Sequence, residues 1–395
     1  MAIKGGQILH VSNGFIIDRI QTGGVTGLNV NEDRLEELGN YEAIGTLRDI
    51  PDLTFEIESF DVTTELESVL TGGDNMEAAG TEFDLSTFIP IDIISPFKGS
   101  GQVFTIDGGV IVPFLSLESM SYSFSLTDPS TMTATMRGDS VFYLPNASPY
   151  YETFDGDGIV TVFAFTDGPA LKSTIGGLEY YALSVMVDQQ DGEGWIRQRL
   201  VTDYTNQAAD FTFLTAPATG TDNIKVVYGS AVQATYLQAI HNTADPAGIR
   251  GRDIFVKLDS NDWLGVQSAN VDWSVTLERD EEFGNPQIVA QDFEVPEVTG
   301  SITMKPSDID ALFTQIQEAA GVTGTDLPNA TEDPPELEVE IKIVDSTGST
   351  TKTLRIPEAK FVLPQIQGQV GTKLEQDFSF TSATGSLQIF KEDPP

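Results

Sequence analysis

The sequence predicts a mainly β (α+β) fold: two repeated β-barrel or sandwich modules, each with one flanking helix, and a small β-sandwich between them. Three observations predict it. One charged stretch occurs twice. Short apolar runs alternate with polar residues and are punctuated by Gly, Pro, Asn and Asp. And a central segment of the chain has no counterpart elsewhere in it.

The repeat comes first, because internal duplication decides how everything else divides. Arg34-Leu35-Glu36-Glu37-Leu38-Gly39-Asn40, followed by Pro51-Asp52-Leu53-Thr54-Phe55-Glu56-Ile57, returns as Arg279-Asp280-Glu281-Glu282-Phe283-Gly284-Asn285 and Pro296-Glu297-Val298-Thr299-Gly300-Ser301-Ile302. A shift of 245 residues superposes Arg, Glu, Glu, Gly, Asn, Pro, Thr and Ile without a gap, with Ile44 on Val289 and Ile50 on Val295. Outside this core, Ile3-Lys4-Gly5 lies over Ile249-Arg250-Gly251 after a one-residue slip, Val30 over Val275, and Leu66-Glu67-Ser68-Val69 over Ala311-Leu312-Phe313-Thr314. The expected division is a first module over 1–145, an intervening domain over 146–245 and a second module over 246–395.

In the first module, Asn13-Gly14 between apolar runs predicts a tight hairpin. Residues 33–50 and 278–294 read as long charged loops between strands, and retention of Arg-x-Glu-Glu-x-Gly-Asn in both predicts a shared contact role. Arg34, Glu36, Glu37, Asn40, Arg279, Glu281, Glu282 and Asn285 are the candidate contact residues, since one Arg flanked by carboxylates suits a bidentate pair across a subunit junction. Leu53 to Glu58 alternates at period two, as a half-buried strand does. A helix is expected from Asp61 to Leu70 with Thr64 and Glu67 at capping-box spacing, and its twin begins at Ser307 and Asp310 with Ile309, Leu312, Phe313 and Ile316 as its apolar face. Gly72-Gly73 and Gly321 are the expected stops.

Further strands are expected over 88–94, 109–112, 120–126 and 131–138, with the last two answered by 361–381, and a hairpin over 338–356. The intervening domain reads as strands at 159–165, 211–214 and 224–228, the spacing of a small sandwich inserted or strung between the modules. Asp155-Gly156-Asp157-Gly158 and Asp188 to Gly194 have carboxylates that suit Ca²⁺, but not in EF-hand order, so turn chemistry is the reading. His10 reads as an ordinary strand residue and His241 as part of a polar linker. The sequons at Asn146 and Asn329 are short matches that decide nothing.

Composition narrows the functional classes. The chain of 395 residues carries 60 acidic and 21 basic residues, a net charge of −39, spread along sequence that looks folded. Self-repulsion of this size destabilises a compact state unless salt screens it, and at molar salt the Debye length is about 3 Å. The first reading is a protein of a salt-in halophile or its virus; the alternative is a surface that must not stick to nucleic acid, and both can hold together. No basic patch is available to displace counterions from a nucleic-acid backbone. With no cysteine and two histidines, thiol and histidine chemistry is largely excluded. Phosphate-loop, dinucleotide, zinc-protease and nucleophile-elbow motifs are absent. No cofactor, metal or catalytic residue is expected, and an enzyme working through carboxylates alone ranks last. The N-terminal stretch lacks a signal-peptide core and no apolar run is long enough to span a membrane.

The repeated stretch, with a strand, a charged loop carrying Arg-x-Glu-Glu-x-Gly-Asn, a strand opening Val/Ile-Pro-x-x-Thr and a short helix, resembles the tail tube (major tail) proteins of long-tailed viruses. The hairpin from Ser121 to Gly138 is also similar to that family's. The resemblance covers both modules and leaves the intervening domain outside. It implies a virion tail protein, assembled in the host cytoplasm, whose modules join into rings with a continuous inner sheet. With two modules per chain, three copies would make a pseudo-hexameric ring, and the charged loops would contact the next ring. Other tail proteins (tape measure, terminator, distal tail) would meet the tube ends. Viral DNA would pass through the lumen without specific binding, and no membrane is involved. The acidity suggests a virus of halophilic archaea. The alternative is a surface β-sandwich adhesin in which the intervening domain binds a receptor or carbohydrate.

Overall fold

The computed structural model describes residues 11–12, 15–17, 20–29, 32–35, 45–48, 50–60, 64–71, 80–85, 88–98, 106–175, 177–188, 195–232, 253–281, 287–305, 307, 309–322, 336–344, 348–363 and 374–394. The first module consists of β1 Val11–Ser12, β2 Phe15–Ile16, β3 Ile20–Asn29, β4 Glu32–Leu35, β5 Gly45–Arg48, β6 Asp52–Ser59, α1 Glu65–Leu70, β7 Glu82–Asp84, β8 Ile91–Lys98, β9 Ile106–Ser125, β10 Thr131–Gly138 and β11 Phe142–Pro145. The intervening domain contains β12 Ser148–Gly156, β13 Val162–Ala164, β14 Ser173–Ile175, β15 Leu178–Tyr180, β16 Ala182–Asp188, β17 Trp195–Arg197, β18 Tyr204–Asn206, β19 Asp210–Phe213 and β20 Gly220–Ser230. The second module adds β21 Ile254–Leu258, β22 Asn261–Asp262, β23 Val266–Ser274, β24 Leu277–Asp280, β25 Ala290–Phe293, β26 Glu297–Met304, α2 Ile309–Ala319, β27 Glu336–Val344, β28 Thr350–Val362, β29 Gln376–Ser382 and β30 Gln388–Lys391. The fold is mainly β, and among the described residues the sheets do not close into a barrel.

The duplication extends to strand register. Each pair of the hairpin β4·β5, from Glu32 opposite Arg48 to Leu35 opposite Gly45, moves by 245 residues onto a pair of β24·β25, from Leu277 opposite Phe293 to Asp280 opposite Ala290. Asn29 opposite Asp52 becomes Ser274 opposite Glu297, and two further pairs follow before a bulge near Thr26 shifts β3. Ile91 opposite Leu115 likewise becomes Glu336 opposite Lys360. The hairpins β1·β2 and β21·β22 also correspond, with Ser12 opposite Phe15 and Leu258 opposite Asn261. Asp259 and Ser260 both take positive φ, 44° and 68°, as a two-residue hairpin turn of the favoured hand requires.

Strand patterning explains the layers. In β6, Leu53, Phe55 and Ile57 are buried while Glu56 is exposed; β10 buries Met132, Ala134 and Met136, and β29 buries Phe378 and Phe380. The pairings run β3·β6·β10·β9·β23·β26·β29·β28, so one sheet passes through both modules. Behind it lies a single hydrophobic core that includes Leu66 and Val69 of α1, Leu312 and Ile316 of α2 and residues from both modules. β8, the first half of β9 and β11 form the outer layer of the first module. Its alternate residues face two ways: Ile93 and Val112 join the shared core, whereas Ile94, Ile111 and Phe142 join the core of the intervening domain. That domain therefore packs on the outer layer and shares its core, where the sequence suggested a unit that could be merely strung between modules.

Several expectations are corrected. The separate strands at 109–112 and 120–126 are one strand of 20 residues, β9, which leaves one sheet for the other near Phe114, a non-glycine residue at φ 54°. The first helix begins only at Glu65, Thr64 at its N-cap makes no side-chain capping bond, and the Glu67 side chain is engaged with Lys352 and Tyr122 instead of the cap. On α2, Leu312, Gln315, Ile316 and Ala319 are buried while Ile309 and Phe313 are exposed, so only half of the expected apolar face packs inward. The buried positions pair Leu66 with Leu312 and Leu70 with Ile316, one residue off the alignment made from sequence. Gly321 takes the left-handed conformation (φ 63°) that ends α2. The strand expected at 159–165 is shortened to β13, leaving Ile159 and Val160 exposed. Gly72-Gly73, Asn13-Gly14, Asn329, His10 and His241 lie outside the described residues.

Candidate assembly interface

The internal junction between the modules is the most informative site, because one half of each contact has a twin elsewhere in the chain. Strand β9 of the first module pairs antiparallel with β23 of the second, from Ser119 opposite Ser274 to Ser125 opposite Ser268. Trp273 is fully buried there, its ring edge-on to Phe88 at 5.8 Å, an arrangement worth about 0.5–1.5 kcal/mol beyond area burial. β7 of the first module adds to β30 of the second, with Phe83 opposite Ile389.

Two ionic groups lock this junction. Lys352 Nζ of β28 donates to Glu67 Oε1 of α1 at 2.6 Å, and the Tyr122 hydroxyl donates to the same oxygen at 2.6 Å; all three side chains are sealed from solvent. The second group is partly exposed. Asp52 accepts from Arg137 Nη1 at 2.8 Å and from Arg279 Nη2, and Arg137 Nε donates to Glu118 at 2.8 Å. The hydrogen bond to Glu118, with Asp52 beside it, raises the Arg137 pKa above its already high ordinary value.

The candidate contact residues fall as follows. Arg34 lies on β4 and Arg279 on β24, at equivalent register positions of the two hairpins. Arg279 reaches Asp52 of the other module, so it bridges modules within one chain. Glu281 is exposed just beyond β24. Glu36, Glu37, Asn40, Glu282 and Asn285 lie outside the described residues.

A third buried ionic group ties the intervening domain to both modules, and sequence reasoning missed it. Asp139 Oδ2, after β10, accepts from Arg197 Nη1 of β17 at 2.7 Å and from the Ile288 amide of the second module at 2.7 Å. The Arg197 guanidinium also lies over the Phe114 ring, 5.4 Å from its centre. Nearby, the Phe114 amide donates to Asp92 Oδ1 at 2.9 Å. Burial pushes the Asp92 carboxyl up to about 6, against the pull of that amide, Arg197 and Lys225. Burial also pushes Lys225 down to about 8; its ammonium sits 3.9 Å from the centre of the Trp195 ring. Lone Asp, Arg and Lys residues spread over 92 to 288 carry no local motif that could have revealed this.

The open face of the through-sheet is a carpet of hydroxyls and carboxylates. One rung crosses six strands: Glu58, Thr133, Ser121, Asp272, Thr299 and Thr381 stand opposite one another in turn. Neighbouring rungs carry Ser123, Asn270, Ser301 and Ser379, then Ser125, Ser268, Thr303 and Asp377. Ser121 donates to Asp272 and Thr303 to Asp377, the latter at 2.7 Å. The cations toward the edge of this face, Arg137 and Lys360, are paired with Asp52, Glu118 and Glu336.

In the intervening domain, Asp157 Oδ1 accepts from the amides of Ile159 and Val160 at 2.8 and 2.6 Å, and Asp155 accepts from the Asp222 amide. These carboxylates serve as turn caps. Among the described residues no group of three or more His, Cys, Asp or Glu is placed to hold a metal ion, and no helix is long and apolar enough to cross a membrane. The sequence matches no protein-family model and no curated protein.

Proposed function

We propose that the chain is a tail tube subunit of a virus of halophilic archaea, polymerising as stacked rings through which viral DNA passes. The observation that carries this reading is the through-sheet: two register-matched modules joined edge to edge by β9·β23, with one face of small hydroxyls and carboxylates. A chain that joins its own modules head to tail has the geometry to join copies the same way, a heterologous contact that closes into a ring or continues as a filament. A face with carboxylates and no unpaired cation among its described rungs repels phosphate and offers nothing to exchange for counterions, which suits a wall along which a polyanion slides. The intervening domain packs on the opposite side of the first module, so it would decorate the outside. The twin hairpins β4·β5 and β24·β25 would reach the adjacent ring, although Arg279 itself is engaged with Asp52 inside the chain, and other tail proteins would cap the tube ends.

Imaging of the purified protein in molar KCl tests the reading. Rings or tubes with a central channel are expected; discrete monomers at every salt concentration would refute it.

One observation favours a second reading, an adhesin. Exposed Val201 and Leu214 flank a cavity of about 230 Å³ in the intervening domain, with Ile159 and Val162 exposed nearby. Because that domain shares its core with the first module, substitution separates the readings better than deletion. Val201→Ser with Leu214→Ser leaves tube formation intact under the tube reading, and abolishes surface attachment under the adhesin reading.

A further inference from the structure

The intervening domain meets the modules through one face of the sheet β12·β20·β16·β17, and that face is polar. Register puts Lys225 of β20, Met186 of β16 and Arg197 of β17 side by side on one rung, so their side chains stand on the same face, as does Ser184 two residues before Met186. The opposite face carries Val185, Val187, Ile224 and Val226 into the domain's own core. Against the polar face stand Asp92, Phe114, Asp139 and the Ile288 amide.

Arg197 has more donors than this boundary uses. Nη1 donates to Asp139, and the Phe114 ring lies against the guanidinium. Nε and Nη2 are sealed from solvent and meet no hydrogen-bond acceptor of the protein. Their N–H bonds leave the same edge of the guanidinium, the fork that grips an anion with two parallel hydrogen bonds. A buried charged donor left unmet carries a heavy desolvation penalty. Asp139 does not cancel the charge. It is shared with the Ile288 amide, and at Tyr180 the field of Arg197 outweighs that of Asp139. The same positive field acts on Asp92 and Tyr204. Phe114, Met186 and Ile288, all fully buried, wall the site with apolar groups. The fork therefore suits an occupant that is anionic and small.

We propose that one halide ion, chloride in a potassium chloride medium, binds Nε and Nη2 of Arg197 and completes the boundary between the intervening domain and the modules. The domain is then held by a specific anion, in addition to the general screening of the acidic surface by salt. Water would accept from the same two donors but leave their charge uncompensated, so it is the rival occupant. The proposal is independent of the tube reading.

Chemical unfolding at fixed potassium concentration, with chloride replacing gluconate stepwise, keeps screening constant and isolates the halide. The measurement is made at pH 5, below the value of about 6 to which burial pushes Asp92. That acid faces Arg197, Lys225, Ser184 and Tyr151 of the intervening domain and the Phe114 amide of its own layer, and its proton removes a competing negative charge. Release of one ion on unfolding makes the unfolding constant fall by about one decade for each decade of chloride above the dissociation constant. Arg197→Ala is expected to lose this dependence. A natural protein indifferent to chloride, or the same dependence in both proteins, overturns the proposal. Crystals of the natural protein grown in KBr give a second measurement that does not require the variant to fold. An anomalous bromide peak within hydrogen-bond reach of both nitrogens is expected; a water there, without anomalous signal, overturns the proposal.

Discussion

Lys352 and Glu67 stand 285 residues apart in the chain, yet their side chains meet at 2.6 Å in a site closed to solvent. One belongs to a strand of the second module and the other to the helix of the first, so this bond reports directly on how the modules are held. Removing one partner leaves the other charge buried and unpaired, which costs about 3–5 kcal/mol. Glu67→Gln and Lys352→Met are each expected to destabilise by that amount in chemical denaturation at molar KCl. Glu67→Leu combined with Lys352→Met is expected to recover most of the loss, since apolar replacement of both partners removes the stranded charge.

Arg197 provides the corresponding test for the intervening domain. Arg197→Ala removes the bond to Asp139 and leaves that buried carboxylate with the Ile288 amide and the neighbouring Ser140 hydroxyl. A loss of about 3–5 kcal/mol is expected, with faster amide hydrogen exchange in β16 and β17 than in β26 and β29. Uniform acceleration across all four strands would show that the group does not act at the domain boundary.

Asp92 predicts a pH dependence of opposite sign to that of a paired surface acid. Burial holds its folded pKa at about 6 against an ordinary 3.8, so between these values the folded state keeps a proton that the unfolded chain releases. Stability contributed by this group therefore falls as pH rises from 4 to 6, by about 3 kcal/mol in all, and stays low above that window. Asp92→Asn removes this slope and is expected to be more stable than the natural sequence at pH 7, with the two converging toward pH 4. Denaturation midpoints at pH 4, 5, 6 and 7 check it. A variant less stable at pH 7 would mean that the charges of Arg197 and Lys225 outweigh burial.

What the sequence made legible follows from what the repeat preserves. Period-two patterns in β6, β10 and β29 and the duplicated Pro-x-x-Thr strands identified the modules, because alternation and local spacing survive divergence. The long-range partners were hidden. Glu67 fits the capping-box spacing, and only tertiary burial next to Lys352 and Tyr122 reassigns it. Asp139, Arg197 and the Ile288 amide are brought together by three segments with no shared pattern. Phe313 read as core on helical spacing alone, whereas α2 buries Leu312, Gln315, Ile316 and Ala319 and leaves Phe313 exposed. Of the eight candidate contact residues, Arg279 is expected from the sequence to pair across a subunit junction, whereas its partner in the structure, Asp52, belongs to the other module of the same chain.

The central claim is that the hydroxyl and carboxylate face of the through-sheet lines a channel enclosed by copies of the chain. Electron cryo-microscopy of the assembled protein in molar KCl measures that directly. The account predicts a ring of three copies in which the rung from Glu58 to Thr381 faces the central channel and the intervening domains project outward. A ring with that face turned to the outside, or buried between stacked rings, would contradict it.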